Sequence, residues 1–411
     1  MTAFRRVPRT SAKAGDERPL VVHVVYRFDV GGLENGLVNL LNRLPANRYR
    51  HAVIALTEVT SFRSRVTRDD VLFIALNKRP GHGIKLMPRL FRVFRQLQPS
   101  IVHTRNLAAL EATVPAWVAG VGVRVHGEHG RDVSDLDGSS TRYRLVRKMH
   151  RPFVSHYVAL SGDLERYLID AIGVPPSHIA RILNGVDTQT FRPAPAKASV
   201  PNFPFAHSSF VFGTVGRLQA VKNQVTLARA FVRMLAVAPH LRSRVRLLIV
   251  GEGPLRAEIE QVLAEAGASS LAWLPGPRDD VSEVLRLLDV FVLPSKAEGI
   301  SNSILEAMAT GLPIIASRVG GNAELVDESS GSIVAADDEQ ALAGAMLRYA
   351  TDPLLVKAHG AGARMRAEHR FGVDAMVAQY ASLYDRLLSH QPYPGDLVQA
   401  AGTARAHSRG R

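Results

Sequence analysis

Two glutamates, Glu298 and Glu306, bracket a short polar stretch in EGISNSILE (298–306). A carboxylate accepts hydrogen bonds from hydroxyl groups, so two at different depths would hold two polyol rings. A nucleotide-sugar has two such rings: Glu306 would take ribose hydroxyls and Glu298 those of the second sugar. The spacing alone is better met by a helix capped at Ser301 or Asn302 with a solvated glutamate on each side. A second stretch, FGTVGRLQAVKNQ (212–224), ends an apolar run at Gly216 and places Arg217 and Lys222 before a helical pattern. Glycine lets a backbone approach a phosphate, Arg217 offers a planar fork to its oxygens and Lys222 a point charge. Together they would neutralise a diphosphate. Two solvated cations after an ordinary turn fit the same residues.

Two further loops carry candidate groups. GGLENG puts Gly31 and Gly32 between an apolar run and a helical pattern, where the backbone would approach phosphate or sugar, or simply turn. It is not the G-x-G-x-x-G dinucleotide fingerprint. VRVHGEHGRD (123–132) ends a strand-like run in His126 and His129, which would donate hydrogen bonds to a hydroxyl or to developing charge. A zinc site would need a third ligand and H-E-x-x-H is missing, so no metal is expected. DLD (135–137) and GEGPLR (251–256) mimic a metal motif and a dinucleotide loop, but neither has the supporting residues.

These loops need elements to hold them. The runs LVVHVVY, HAVIAL, VLFIAL, SIVHT, VRVHGEH and SHYVALS alternate with helical patterns such as LENGLVNLLNRL, whose leucines repeat at helical spacing. Alternation of this kind implies a parallel sheet covered on both faces. Residues 191–206, FRPAPAKASVPNFPFA, hold four prolines and read as a linker. The alternation then restarts with FVFGTVG, VRLLIVG, LAWLPG, DVFVLPS, LPIIAS and GSIVAA. The expected organisation is a disordered basic N-terminus (1–18), a first doubly wound α/β domain (19–190), the linker (191–206) and a second such domain (207–371). A terminal helix (372–390) and a disordered tail (391–411) follow. In open α/β sheets ligands bind at the carboxyl ends of the strands, so the two domains would form the walls of one cleft.

The totals narrow the classes. The 411 residues are 46% hydrophobic and 21% charged, a globular composition with no cysteine for disulfides or thiolate chemistry. No stretch reaches the ~20 apolar residues of a membrane span, and the N-terminus lacks a signal-peptide core, so a cytoplasmic protein is expected. The net charge of +14 is lopsided: residues 1–192 hold 29 Lys/Arg against 16 Asp/Glu, leaving 22 and 21 for the rest. A basic half of this kind faces an anionic bilayer, a phosphorylated substrate or nucleic acid. Aromatic residues, at 6%, are not interleaved with the basic ones as RNA binding would require.

With GGLENG, IVHTRN, the histidine loop, LNGVDTQTFRP, VGRLQAVKNQ, LIVGEGP, EGISNSILEAMATGLP and VGGNAELV in this order, the chain resembles retaining glycosyltransferases of family four, which have the GT-B fold. The match runs from about Leu20 to Leu388. HGEHGRD and EGISNSILEAMATGLP further resemble sugar transferases of bacterial exopolysaccharide and PEP-CTERM systems. The resemblance implies that Arg217 and Lys222 hold the donor diphosphate, and that Glu298 and Glu306 contact donor sugar and ribose. Gly299, Ile300, Ser301 and Asn302 would offer backbone N–H groups, and Gly216 and Gly32 would let the backbone approach the phosphates. His129 aligns with the histidine near the transferred sugar, with His126 as the alternative. Asn184 and Asp187 would be structural. Ile300 and Ser301 replace an aromatic and a glycine common in relatives, which alters the donor contact.

The implied reaction is metal-independent transfer of a hexose from a nucleotide-diphosphate sugar, foremost a UDP-sugar, with no cofactor and with retention. The acceptor would be a saccharide or lipid-linked saccharide in exopolysaccharide or envelope-glycan synthesis. The basic half would touch an anionic membrane surface peripherally, at the inner membrane. Two alternatives stand beside it: a GT-B-fold nucleotide-sugar epimerase, and a catalytically silent nucleotide-sugar-binding subunit.

Overall fold

The computed structural model describes residues 16–79, 83–131, 135 and 138–389. The expected disordered segments 1–18 and 391–411 therefore lie almost wholly outside the described residues. Asp16 and Arg18 are the exception: their side chains pair, and Arg18 also reaches Asp70 at 3.2 Å, anchoring the chain just before the first strand. The chain divides into two compact units, one running to Leu183 and resuming at Met376, the other spanning Asn184–Ala375.

The first unit is a seven-stranded parallel sheet of β1 (Leu20–Val25), β2 (Arg50–Ala55), β3 (Leu72–Ala75), β4 (Ile101–Arg105), β5 (Val123–Glu128), β6 (His156–Ala159) and β7 (Ile179–Arg181). Their order is β3-β2-β1-β4-β5-β6-β7. Strands covered on both faces carry apolar residues at nearly every position, which is why these runs are continuous. One face, with Val22, Val24, Ile54 and Val102, packs on Phe94 and Ala116 of the helices Met87–Leu97 and Thr113–Val118. The other, with Val25, Val53 and Ala55, packs on Leu37 and Leu41 of the helix Gly32–Arg43. Further along that face lie His23, His51, His103 and Arg105, all buried. They meet Tyr380 and Tyr384 of the terminal helix Val373–Leu388, whose residues from Met376 onward belong to this unit.

The second unit is a six-stranded parallel sheet of β8 (Phe210–Val215), β9 (Val245–Val250), β10 (Ala272–Gly276), β11 (Val290–Leu293), β12 (Ile314–Ser317) and β13 (Gly331–Val334). Its order is β10-β9-β8-β11-β12-β13. Phe212, Leu247, Ile249, Val290 and Val292 pack on Phe231 and Met234 of the helix Gln224–Val237 and on Met346 and Tyr349 of Glu339–Thr351. The proline-rich segment 191–206 lies inside this unit. Arg364 donates to the Phe191 carbonyl at 2.8 Å, Arg286 to that of Arg192 at 3.0 Å, and Val200 is buried. Both sheets reverse their strand order at one place, between β1 and β4 and between β8 and β11. In doubly wound sheets that reversal opens a crevice beyond the strand ends.

Candidate active site

In the second unit the two loops singled out from sequence leave the two strands at that reversal. β8 ends at Val215 and leads through Gly216 and Arg217 to Lys222; β11 ends at Leu293 and leads through Ser295 to Glu298. The loops are tied to each other. The Lys296 N–H donates to the Val221 carbonyl at 2.8 Å, and the Asn223 side chain donates to the Pro294 carbonyl at 3.3 Å. Across this seam Lys222 Nζ lies 2.6 Å from Glu298 Oε1, and Ser295 Oγ donates to the same oxygen at 2.6 Å. The Glu298 side chain is only 8% exposed, against 25% for Lys222. A carboxylate this buried needs such partners. Lys222 and Glu298, read separately as a phosphate ligand and a sugar ligand, are thus brought together as an ion pair.

The remaining residues fall around this pair. Ser301 caps the helix Asn302–Ala309, its Oγ accepting the Ile304 N–H at 3.3 Å. Ile300 is buried, so its side chain is spent on the core and only its backbone can serve a ligand. Glu306 lies within the helix and is half-buried. Asn184 donates to Asn302 Oδ1 at 2.8 Å and so steadies the helix start, while Asp187 accepts the backbone N–H groups of Gln189 and Thr190. Gly320 holds the loop 319–322 against this segment: a Cβ there would stand 1.8 Å from the Glu298 carbonyl, and Gly321 donates to the Gly299 carbonyl at 2.9 Å. Gly216 has nothing within 4 Å of where a side chain would begin, although its N–H donates to the Val250 carbonyl at 2.9 Å, and Arg217 beside it is exposed. GEGPLR has a packing task, Gly251 closing onto the Gly216 carbonyl.

In the first unit Gly32 opens the helix Gly32–Arg43 after β1. His129 follows β5; its backbone N–H donates to Asn106 Oδ1 at 2.8 Å and its Nε2 is buried. Burial, reinforced by the charge of Arg105, holds its pKa well below the ordinary histidine value, so the ring is neutral. His126 points to the opposite face of the sheet, where Nδ1 meets Thr104 Oγ1 at 2.8 Å and Nε2 meets Glu128 at 3.4 Å. With both nitrogens engaged and the ring wholly buried, it is a core residue and not an alternative to His129. Of DLD, Asp135 accepts the Ser140 N–H at 2.8 Å; residues 136–137 lie outside the described residues. Among the described residues no cluster of three or more His, Cys, Asp or Glu is arranged to hold a metal ion.

Sequence reasoning did not pick out Ser295, Asn106 or Arg105. The one available signal was position: each is a polar residue where an apolar strand run ends.

Residues 30–190 match the family described as Glycosyltransferase Family 4, and residues 209–352 match Glycosyl transferases group 1. The UDP-Gal:alpha-D-GlcNAc-diphosphoundecaprenol alpha-1,3-galactosyltransferase of Escherichia coli is 29% identical over 73% of this chain and 79% of its own. The lipopolysaccharide core biosynthesis mannosyltransferase LpsB of Rhizobium meliloti is 30% identical over 59% and 68%. A D-inositol 3-phosphate glycosyltransferase of Thermobispora bispora is 32% identical over 56% of each chain, so the match spans about half of that relative. Among solved structures, Anabaena Alr3699/HepE in complex with UDP and glucose superposes with a TM-score of 0.77 over 90% of this chain and 100% of its own. At 20% identity that likeness speaks for the fold.

Proposed function

Because the chain belongs to glycosyltransferase family 4 and has the GT-B fold, we propose that this glycosyltransferase moves a hexose from a nucleotide-diphosphate sugar, a UDP-sugar first, to a saccharide or lipid-linked saccharide with retention. The observation that carries the reading is the Lys222–Glu298–Ser295 cluster beyond β8 and β11, followed by the helix that bears Glu306. In the free protein Lys222 and Glu298 hold each other in place. On donor binding Lys222 and Arg217 turn to the diphosphate and Glu298 to the sugar hydroxyls. Glu306 takes the ribose. Charge that develops on the leaving diphosphate meets cations and backbone N–H groups already positioned for it, including those at Gly299, Ile300, Ser301 and Asn302. Gly32 and His129, in the first unit, take the phosphate-approach and sugar-contact roles that the family resemblance assigns.

The UDP named for the Anabaena structure and the diphosphoundecaprenol-linked acceptor named for the E. coli relative support these donor and acceptor classes. We place the enzyme at the cytoplasmic face of the inner membrane, in exopolysaccharide or envelope-glycan synthesis. No described helix is long and apolar enough to cross a membrane. The helix Thr141–His150, TRYRLVRKMH, has no acid; Arg147 is buried on Glu128, but Arg142 and Lys148 are exposed with Leu145 and Met149, which fits a peripheral contact with anionic lipid.

The test is a thermal-shift panel of UDP-, GDP- and ADP-sugars, followed by incubation of the stabilising donor with and without acceptor. A donor at ~100 times its Kd adds about 2.7 kcal/mol of stability. Stabilisation by one nucleotide-sugar and transfer with retained anomeric configuration is the expected result; no stabilisation by any of them sinks the reading. Conversion of donor alone to its epimer would favour the epimerase, and binding without any turnover the silent subunit.

A further inference from the structure

His129 is held by a seat that lies mostly in another part of the sequence. Its backbone N–H is hooked by Asn106 Oδ1 at 2.8 Å. Asn106 directly follows β4 and has φ +58, a left-handed conformation that asparagine tolerates better than most residues. Arg105 of β4 is register partner to Gly127 of β5. The missing side chain at Gly127 leaves a gap in that face of the sheet, and the His129 ring folds back into it. A Cβ on Gly127 would stand 2.8 Å from His129 Nε2, 3.2 Å from His129 Cδ2 and 3.2 Å from His103 Nε2. Both Nε2 atoms are buried and have no hydrogen-bond partner among the described residues, and both imidazoles converge on one small volume over Gly127. His103 cannot yield there, because it is wholly buried and its Nδ1 meets Tyr384 Oη at 2.8 Å. His129, at the end of the strand, is the ring free to be placed or displaced.

We propose that Asn106 and Gly127 are positioning residues for His129: the amide fixes the backbone of the histidine loop, and the absent side chain gives its ring a single place to lie. This rests on the reading that His129 serves the sugar-transfer step. With Nε2 turned into the sheet, Nδ1 is the nitrogen left to meet a substrate hydroxyl. The charged and titratable groups around the ring are Arg105, His126, Glu128 and His103. Arg105 adds a cation that donates to His23 Nδ1 at 3.0 Å and has no carboxylate within ion-pair distance among the described residues. The ring therefore sits beside a fixed positive charge and stays neutral.

The experiment uses the full chain and two variants, with His129→Ala as reference. Asn106→Gly keeps the left-handed backbone and removes the hook; Gly127→Ala fills the gap. A misplacement of about 1 Å can cost about a hundredfold in rate. Each variant is therefore expected to lower kcat by about that factor while leaving the donor KM unchanged, and to cause no further loss when combined with His129→Ala. Losses that multiply with that of His129→Ala, or an Asn106→Gly enzyme with unchanged kcat, would overturn the proposal. Histidine-labelled NMR separates the seat from the chemistry. In the parent the His129 ring should not titrate between pH 8 and 6, and in either variant it should begin to. If His129→Ala keeps full activity, the reading of His129 as a reaction group falls, and the ring titration alone decides the seat. An unchanged titration in both variants then rejects it.

Discussion

In the second unit the sheet residues that face the helices are Phe212, Leu247, Ile249, Val290 and Val292, and the candidate polar groups lie beyond the strand ends. In the first unit polarity runs into the sheet: His23, His51, His103 and Arg105 form a buried layer under Tyr380 and Tyr384. The layer is wired by hydrogen bonds of fixed sense. Arg105 can only donate, so His23 Nδ1 accepts, and His23 Nε2 carries the proton it shares with His51 Nδ1 at 3.1 Å. His51 Nε2 and His103 Nε2 end these chains with no partner among the described residues, a cost an apolar layer would not carry. The two sheets thus divide the work. In one, the groups proposed to meet the donor sit on an inert support; in the other, ionisable groups are part of the support.

Four changes would break or sharpen this contrast. The largest effect is acid. Burial, with the charge of Arg105, pushes His23, His103 and His129 well below their ordinary value; burial, with Arg68, pushes His51 to about 3. The folded state then binds fewer protons than the unfolded chain below pH 6.5. Stability is fully present above that pH and is lost as pH falls from it toward the folded values. The slope approaches about 1.4 kcal/mol per pH unit for each imidazole, so one pH unit well below 6.5 removes about 5.5 kcal/mol for the four, against a typical total of about 5–15 kcal/mol. Hydrogen exchange at pH 5 should show strands β1, β2 and β4 losing protection while β8, β9 and β11 keep it; simultaneous loss would erase the distinction. Next is Lys222→Ala, which should slow transfer by more than about a hundredfold, equivalent to about 2.7–4 kcal/mol. Near-normal turnover would remove the diphosphate role.

Tyr384→Phe should do the reverse. Loss of the hydroxyl on His103 is expected to lower stability by about 1–3 kcal/mol, read from a denaturant midpoint, while the thermal shift given by the donor is unchanged. The smallest effect on the fold is Leu145→Glu with Met149→Glu. Both positions are exposed, so stability should stay within about 0.5 kcal/mol, yet sedimentation with anionic vesicles should fall. Unchanged sedimentation would take the helix Thr141–His150 out of any membrane contact.

The strands were legible because parallel strands buried on both faces are written as continuous apolar runs, as in VRLLIVG and DVFVLPS. The one missed, β7 (Ile179–Arg181), is three residues long with an exposed arginine, too short for any period to register. The prolines of 191–206 announce irregular backbone but not its attachment, which depends on Arg286 and Arg364, far along the chain. The candidate residues were legible as types, cations, carboxylates and glycines just past strand ends, although each also fits an ordinary turn or cap. What they do to one another was not. The Lys222–Glu298 pair joins positions 76 apart, and the seat of His129 depends on the register of Arg105 with Gly127. The buried histidines were the least legible, because an imidazole amid valines looks the same whether it ends up wired or stranded.

The second unit interrupts the first, from Asn184 to Ala375, and this inverts the usual order in which a nascent chain matures. As the polypeptide leaves the ribosome, the seven strands of the first sheet emerge early with their histidine face uncovered. Tyr380 and Tyr384 follow only after about 200 more residues, roughly 10–40 s later at 5–20 residues per second. All six strands and the packing helices of the second sheet lie in one uninterrupted run, so that sheet can close first although it is made second. Translation pauses between Leu183 and Met376 would prolong the exposure of one lobe and leave the other untouched.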